Sequence, residues 1–294
     1  MAQTPEIGVL TPSKINNATL LGVFAPDSPE WHTARERGIG GSEIGTVMGL
    51  NPWESPFTLW AKRKKLIPNP PLDNWSVRFG KAFERPILEL FAEQHPELQI
   101  FTTGTYGNGI AHANPDALAV TADGEMIVVE VKTARSGWNE LPEQYHAQVQ
   151  WYLRVLGLKR AVVVAVAGWQ YEERWIEADA FQQEVARTSA ERFWDYLQND
   201  KRPDWDGSDS TYQTVRALHP DIEDESVEIS GGEKLSQLQA QFDEAKAALN
   251  KAKSEIADLM GKAKHAHITV NGKEHRIASR QARGDGLPFL VVKG

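Results

Sequence analysis

A run of mostly β-branched residues, "MIVVEVK" at 126–132, is the feature that most limits the fold of this chain. Valine and isoleucine favour strands, and a short continuous apolar run is typical of a strand buried inside a sheet. A second apolar run, "ALAV" at 117–120, precedes it, and "ADG" lies between the two. Because a three-residue loop with glycine in the left-handed conformation is a common hairpin turn, the two runs are predicted to form an antiparallel hairpin.

The three-residue loop also fixes which side chains of the hairpin share a face. Pairing Thr121 with Glu125 places Asp116 opposite Glu130. Since alternate residues of a strand point to the same side, Lys132 shares that face with Glu130. A two-residue loop would instead place Asp116 on the other face. Three charged groups at the end of an apolar hairpin need compensation, because burying an unpaired charge costs several kcal/mol.

Two interpretations of these charges are open. The simpler one is an ion pair between Lys132 and Glu130 where the strand leaves the core. The other is a metal site, in which Asp116 and Glu130 bind Mg²⁺ or Mn²⁺ and the Val131 carbonyl adds a ligand. Lys132 would then orient or deprotonate an attacking water. The chain contains no cysteine, so any metal must be held by carboxylate, carbonyl or imidazole groups.

Helices and strands alternate over much of the chain. Helices are predicted at about 57–66, 76–94, 142–156 and 181–199, and strands at about 117–121, 125–132, 161–167 and 172–177. Strands interrupted by helices predict an α/β core. Ser42 is expected to cap a helix after a glycine-rich turn. The second helix carries an apolar stripe that contains Phe79, Phe83, Ile87, Leu90 and Phe91.

Aromatic residues and histidines outside this stripe have simpler expected roles. The tryptophans Trp31, Trp53, Trp60 and Trp75 are expected to pack in the core or against turns. His112 is expected to be a polar surface or loop residue. The glycines of "TTGTYGNGIAHANPD", at 102–116, are expected to mark turns.

The C-terminal region has a different pattern. An acidic stretch lies near 204–233, and from Leu235 to Leu259 apolar residues and alanines recur with the 3,4 spacing of a heptad helix. Alanines at alternate d positions suit a close-packed partner helix, within the chain or from another subunit. The segment "ITVNGKEHRIA" then predicts a hairpin that turns at Asn271 and Gly272.

Composition narrows the class of protein. No apolar run approaches the roughly 20 residues that span a bilayer, and the N-terminus lacks a signal-peptide pattern, so a cytoplasmic protein is expected. The net charge is −8, yet residues 262–294 hold seven Lys or Arg against two acidic residues. Whole-chain charge therefore does not exclude a nucleic-acid partner.

Further motifs accompany the hairpin in a fixed order. Glu84 follows Gly80 by four residues in one predicted helix, and Gln148 and Tyr152 share a face of another because they are four apart. The full series reads Gly80-x-x-x-Glu84, Pro115-Asp116, Glu130-Val131-Lys132 and Gln148-x-x-x-Tyr152. This series resembles the motifs of the PD-(D/E)XK nucleases.

Within that superfamily the chain resembles the YqaJ-like viral recombinase and lambda-exonuclease branch. Residues 30–53, "EWHTARERGIGGSEIGTVMGLNPW", are similar to its opening W-x-x-x-R…G-G-S-[DE]-x-x-x-x-x-G-x-N-P. The resemblance covers about residues 28–205. It implies a restriction-endonuclease-like α/β core, with a mixed sheet flanked by helices, in an exonuclease domain at 1–212. Residues 213–294 would hold an acidic linker, the heptad helix at about 233–264 and a basic hairpin tail.

The resemblance also implies a role for each site residue. Asp116 would bridge two Mg²⁺ ions, for which Mn²⁺ is a substitute, and the further ligands would come from Glu130, the Val131 carbonyl and Glu84. Lys132 would activate the water, Gln148 would help to hold it, and Tyr152 would support these groups. Arg35 and Ser42, seven residues apart, would bind the 5′ phosphate of a DNA end.

The implied activity is a 5′→3′ exonuclease acting on ends of double-stranded DNA in phage or prophage recombination, in the cytoplasm of a bacterial host. It would leave 3′ single strands for an annealing protein. The resembled family includes ring-shaped trimers, which makes a homo-oligomer an expectation. Two alternatives stay open: an endonuclease or single-strand nuclease on the same core, and a non-enzymatic DNA-binding scaffold.

Overall fold

The computed structural model describes residues 6–70 and 73–293. The chain divides into two compact units, Met1–Ile222 and Glu223–Gly294. Among the described helices, none combines the length and the apolar character needed to cross a membrane.

The first unit contains eleven strands and seven helices among its described residues. In chain order they are β1 (Gly8–Val9), β2 (Lys14–Ile15), β3 (Ala18–Gly22), α1 (Pro29–Glu36), β4 (Ile39–Gly40), α2 (Gly41–Val47), α3 (Pro56–Arg63), α4 (Trp75–Gln94), β5 (Gln99–Thr102), β6 (Thr105–Asn108), β7 (Ala111–Ala113), β8 (Ala117–Val120), β9 (Met126–Ala134), α5 (Glu143–Leu156), β10 (Arg160–Ala167), β11 (Gln170–Glu177), α6 (Ala180–Gln198) and α7 (Asp209–Leu218). The helices and strands expected around the hairpin are all present, with ends shifted by a few residues.

A six-stranded mixed sheet, in the order β1-β5-β8-β9-β10-β11, forms the centre of the first unit. β8 and β9 pair antiparallel, whereas β9 and β10 pair parallel and are connected through α5. The predicted α/β core with a mixed sheet flanked by helices is therefore confirmed.

The two faces of β9 enter different layers of the core. Ile127, Val129 and Val131 pack in one apolar cluster with Ile87 and Phe91 of α4. Val128, from the other face, packs in a second cluster that contains Trp151 and Leu153 of α5. Burial on both faces explains why the sequence of β9 is almost continuously apolar. It also means that a charged residue in this strand lies between two helices.

The register of the β8–β9 hairpin is the one that a three-residue loop predicts. The Thr121 N–H donates to the Glu125 carbonyl at 3.0 Å, and Gly124 has φ +85°. Leu118 pairs with Val128 across the two strands. Asp116 lies one residue before β8. When the same register is extended to it, Asp116 is paired with Glu130.

A second sheet, in the order β2-β3-β6-β7-β4, was not predicted. Its β6 and β7 come from the segment whose glycines were expected to mark turns, and only Gly109, with φ +61°, forms the turn between them. The expectation fails because these strands, TYGN and AHA, are only four and three residues long and show no apolar run. Tyr106 of β6 is fully buried, and its hydroxyl donates to the Pro12 carbonyl at 3.0 Å.

The apolar stripe of α4 is only partly buried. Ile87 and Phe91 lie in the core, but Phe83 and Leu90 are each 44% exposed. The buried residues of α4 all belong to its second half, whereas the apolar side chains of its first half are half-buried or exposed. Trp75, at its start, is 76% exposed and does not pack in the core as expected.

Helix α7 belongs to the first unit. The Thr58 hydroxyl of α3 lies 2.8 Å from the Thr214 hydroxyl, and Thr211 donates to Ser55 at 2.7 Å. A boundary at residue 212 would divide this helix, whereas the compact units meet after Ile222.

The second unit consists of α8 (Glu233–Met260) and a three-stranded antiparallel sheet of β12 (His265–Val270), β13 (Lys273–Gln281) and β14 (Phe289–Val292). The expected hairpin turns at Asn271 and Gly272, which have φ +52° and +74°. The third strand, β14, was not expected.

Candidate active site

Asp116 and Glu130 come together at one end of the β8–β9 hairpin. Asp116 immediately precedes β8, and its Oδ2 accepts a 2.7 Å hydrogen bond from the Val131 N–H. Glu130 is only 3% exposed and lies on the face of β9 that α5 covers. The hairpin register and one side-chain-to-backbone hydrogen bond thus place the two carboxyl groups near each other.

Lys132 is two residues further along the same face of β9. Its Nζ donates to Glu130 Oε1 at 2.5 Å and lies 4.9 Å from the centroid of the Tyr145 ring. Burial alone would lower the pKa of Lys132, but the negative charges of Glu130 and Asp116 outweigh it and raise that pKa. The ammonium group is therefore protonated at neutral pH.

Helix α5 contributes Gln148 and Tyr152 from one face. Gln148 Nε2 donates to Glu130 Oε1 at 2.6 Å and lies 3.0 Å from the Tyr152 hydroxyl. That hydroxyl donates to the Asn114 carbonyl at 3.1 Å. Burial, with the nearby negative charges of Glu130 and Asp116, raises the pKa of Tyr152 well above its usual value, so Tyr152 stays neutral.

Close packing fixes the Tyr152 ring. A Cβ added at Gly41 would come within 2.2 Å of Tyr152 Cε1, so α2 can approach α5 here only with glycine at this position. The glycine-rich segment of the sequence thus serves the packing of the site as well as the turn before α2.

Glu84 approaches from α4, on the other side of β9. Its burial raises the pKa of the Glu84 carboxyl, and the charge of Glu130 raises it further, although Lys132 opposes the shift. The Glu84 carboxyl is therefore close enough to Glu130 and Lys132 for their charges to change its pKa.

The carboxyl groups carry more negative charge than the surrounding residues balance. Burial raises the pKa of Asp116 well above its usual value, and the charges of Glu130 and Glu84 add to this effect. Glu130 Oε2 is buried and receives no hydrogen bond from the described residues. A hard divalent cation prefers carboxylate oxygens and would satisfy both groups, so Asp116 and Glu130 fit such an ion.

The set of side-chain ligands is nevertheless small. Within residues 6–70 and 73–293, no three Asp, Glu or His side chains converge closely enough to hold a metal by themselves. Carbonyl, water or substrate oxygens would have to complete the coordination of an ion held by Asp116 and Glu130.

Arg35 and Ser42 also meet. Arg35 Nη2 donates to Ser42 Oγ at 3.1 Å, and the guanidinium carbon lies 4.5 Å from the centroid of the Trp31 ring. Trp31 precedes Arg35 by four residues on α1, which places the two side chains on one helix face. Glu43 lies 3.6 Å from the guanidinium group and adds an ion pair.

Ser42 does not cap α2, contrary to the sequence-based expectation. The helix starts two residues earlier than that expectation, at Gly41, and the N-cap is Gly40, whose N–H donates to Glu43 Oε2 at 3.3 Å. Ser42 is therefore the second residue of α2 rather than its N-cap, and its hydroxyl accepts from Arg35.

One cavity of about 580 Å³ joins the two groups of residues. The predicted site residues in its wall are Arg35, Ser42, Asp116, Glu130, Lys132, Gln148 and Tyr152. The Arg35–Ser42 pair and the carboxylates of Asp116 and Glu130 therefore face the same cavity, although they lie far apart in the sequence.

Several residues in the cavity wall were not expected there. They are the aromatic residues Phe24, Trp31, Trp53 and Tyr145, and the imidazole of His112. Trp53 is 69% exposed rather than packed, and His112 is 6% exposed rather than on the surface. The i, i+4 spacing of Trp31 and Arg35 and the i, i+3 spacing of Tyr145 and Gln148 were the available signals, because each aromatic residue shares a helix face with a site residue.

Comparison with known proteins agrees with the order of these motifs. Residues 30–159 match the model of the YqaJ-like viral recombinase domain, and this segment contains every predicted site residue from Arg35 to Tyr152. The uncharacterized protein YqaJ of Bacillus subtilis (strain 168) is 27% identical over 266 residues, which is 78% of this chain and 78% of that protein.

Two other similarities are more limited. Protein D345L of African swine fever virus is 34% identical over 100 residues, or 31% of this chain and 29% of that protein. The crystal structure of an alkaline exonuclease, LHK-Exo from Laribacter hongkongensis, matches with a TM-score of 0.48 at 17% identity. That match covers 66% of this chain and 100% of LHK-Exo.

We expect Asp116→Asn to raise the thermal midpoint of the protein in the presence of a chelator. The amide oxygen can still accept the Val131 N–H, but one of the mutually repelling charges is removed. A gain of about 1 kcal/mol corresponds to roughly 2–4 °C for a domain of this size. Glu140→Gln, which removes a charge from an exposed position, is the control and should leave the midpoint unchanged. A midpoint lowered by Asp116→Asn would mean that the protein itself balances this carboxylate.

Proposed function

We propose that this chain, in which residues 30–159 form a YqaJ-like viral recombinase domain, is a Mg²⁺-dependent exonuclease that degrades double-stranded DNA from its 5′ ends. The observation that carries the proposal is the cavity that joins the Arg35–Ser42 pair to the carboxylates of the β8–β9 hairpin. Carboxylates that fit a divalent cation, next to a lysine, suit phosphodiester hydrolysis. An arginine in the same space suits a terminal phosphate.

Asp116 and Glu130 would hold the metal, with the Val131 carbonyl and Glu84 as further ligands, directly or through water. When bound, Mg²⁺, or Mn²⁺ in its place, would polarise the scissile phosphate and lower the pKa of a water molecule. The remaining steps fall to side chains of the cavity.

Lys132 acts as a fixed positive charge. Its raised pKa keeps it protonated at neutral pH, so it orients the attacking water or stabilises charge on the phosphate by donating hydrogen bonds. A role as general base, which the sequence leaves open, does not suit a lysine beside Glu130 and Asp116. Tyr145, whose ring lies under the ammonium, restricts its position.

Gln148 positions Glu130 rather than taking part in the chemistry. The Gln148 amide and the Lys132 ammonium both donate to Glu130 Oε1. The other carboxylate oxygen, Oε2, would therefore be the one that binds a cation. Tyr152 holds the Gln148 amide from the other side and remains neutral throughout. Such supporting contacts typically change metal affinity or activity by about 10–100-fold when they are removed.

Arg35 would bind the 5′ phosphate of the DNA end. The Trp31 ring, the Ser42 hydroxyl and the Glu43 carboxylate hold the guanidinium group at the cavity wall, and its remaining N–H donors would bind the anion. Anchoring the terminal phosphate would set which phosphodiester reaches the carboxylates, and so the polarity of digestion. The remaining 3′ strand would be passed to an annealing protein in the cytoplasm of a bacterial host.

Activity on linear duplex DNA is expected only with Mg²⁺ or Mn²⁺ and should stop in chelator. Asp116→Asn and Glu130→Gln should each lower the rate at least about 100-fold, since they remove a metal ligand and transition-state stabilisation. Glu140→Gln should keep the wild-type rate. The assay follows release of nucleotides from end-labelled linear DNA and compares it with a covalently closed duplex of the same sequence.

Three results of that assay would oppose the proposal. Cutting of the closed duplex would indicate an endonuclease. Binding of DNA without any cutting by the wild type would indicate a scaffold. A near-normal rate for either carboxylate variant would place the metal elsewhere.

The wild-type enzyme should degrade a 5′-phosphorylated duplex faster than a 5′-hydroxyl duplex, by about tenfold or more, because charge-assisted hydrogen bonds to a phosphate contribute at least about 1.5 kcal/mol. Arg35→Ala should lose most of this preference and retain metal-dependent cutting. Arg216→Ala is the control, since Arg216 is exposed on α7 and lies outside the cavity wall, whereas Arg37→Ala tests whether the neighbouring arginine can substitute for Arg35. Equal rates on the two substrates for the wild type would remove the anchoring role of Arg35.

A further inference from the structure

Helix α8 exposes a continuous apolar seam. The seam consists of Leu235, Leu238, Phe242, Ala245, Leu249, Ala252, Ile256 and Leu259, which follow heptad positions a and d. Leu235, Phe242 and Leu259 are 74%, 61% and 83% exposed. The seam is partly covered near its C-terminal end, where Ile256 is half-buried. Met260, which follows the seam, is buried where α8 packs on the sheet of its own unit. An exposed apolar row of this length marks an interaction surface.

We propose that α8 pairs with α8 of a second copy of this chain as an antiparallel two-helix coil. A two-fold axis at Ala247 brings seam residues together in matched pairs. In the central layers Phe242 meets Ala252 of the second copy, and Leu249 meets its Ala245. The outer layers pair Leu235 with Leu259 and Leu238 with Ile256.

The sizes of these residues favour the antiparallel orientation. Every central layer then contains one large side chain and one alanine, so the distance between the two helices is nearly constant. In a parallel pair Phe242 would meet Phe242 and Ala245 would meet Ala245. Wide and narrow layers would alternate, and the narrow layers would leave cavities, which cost stability in proportion to their volume. Alanine layers filled by a large residue of the partner avoid that cost.

The same pattern identifies the partner as a second copy. All four pairings are related by the same two-fold axis at Ala247, so the seam of one copy fits the seam of a second copy. Binding to a different protein would not require this symmetry. The helix has 28 residues and is about 42 Å long at 1.5 Å per residue. Four heptads of apolar contact are available along that length.

Charged residues beside the seam do not determine the orientation. In the antiparallel pair Gln239 lies near Lys253 of the second copy and Gln241 near its Glu255, while Lys246 lies near its own counterpart. Exposed pairs of this kind contribute about 0–1 kcal/mol each, so the apolar layers decide.

The mass of the full-length chain in solution tests the association. Sedimentation velocity at tens of micromolar should give twice the 32.8 kDa of one chain. Ala245→Glu, within the seam, should halve the measured mass, because it places a charge in a central layer. Ala247→Glu is the matched control, an exposed alanine of the same helix outside the seam, and should leave the dimer intact. A wild-type monomer, an equal effect of both variants or an assembly of any size that Ala245→Glu preserves would overturn the proposal.

Disulfide formation tests the orientation, and the chain has no cysteine to interfere. In the antiparallel pair the two copies of residue 238 lie about 27 Å apart along the axis, at 1.5 Å per residue, which is far beyond disulfide reach. Leu238→Cys alone should therefore remain uncrosslinked on oxidation. The double variant Leu238→Cys with Ile256→Cys should give a crosslinked dimer on a denaturing gel. Crosslinking of the single variant, or none with the double variant, would overturn the antiparallel arrangement.

Discussion

Lys132 and Gln148 donate to the same oxygen of Glu130, and the rest of the candidate site depends on this shared acceptor. The two donors come from different elements, β9 and α5, so their convergence fixes the helix against the strand at this point. Glu130 is buried, and a buried carboxylate without such partners would cost several kcal/mol. Both donors occupy Oε1, which leaves Oε2 buried and unpaired. The protein thus stabilises one half of the carboxylate, and the proposed cation would bind the other half.

The hairpin and its charges could be predicted because each depends on local sequence. The three-residue loop between the two strands determines the register, and the register brings Asp116 to Glu130. The i, i+4 spacing then places Gln148 and Tyr152 on one helix face, although only the tertiary structure shows that this face covers Glu130. The order of the motifs supplied the remaining information about the site.

Other features could not be predicted because they depend on contacts between distant segments. The second sheet is made of strands too short to show an apolar pattern, and Tyr106 anchors it to Pro12. Ser42 is not the N-cap it was expected to be, because α2 begins at Gly41 and Gly40 occupies the N-cap position. The exposed first half of α4 looks in sequence like the buried second half, because both carry the same apolar periodicity.

Mn²⁺ binding in the absence of DNA tests the central claim most directly, since it reads the cation site without any catalytic step. Calorimetric titration of the wild type should show saturable binding that Glu130→Gln abolishes. Gln148→Ala should weaken the affinity by about tenfold, because Glu130 loses the contact that directs Oε2 to the ion. Equal Mn²⁺ affinity for the wild type and Glu130→Gln would contradict the account, because the unpaired oxygen of Glu130 would then have no part in holding a metal.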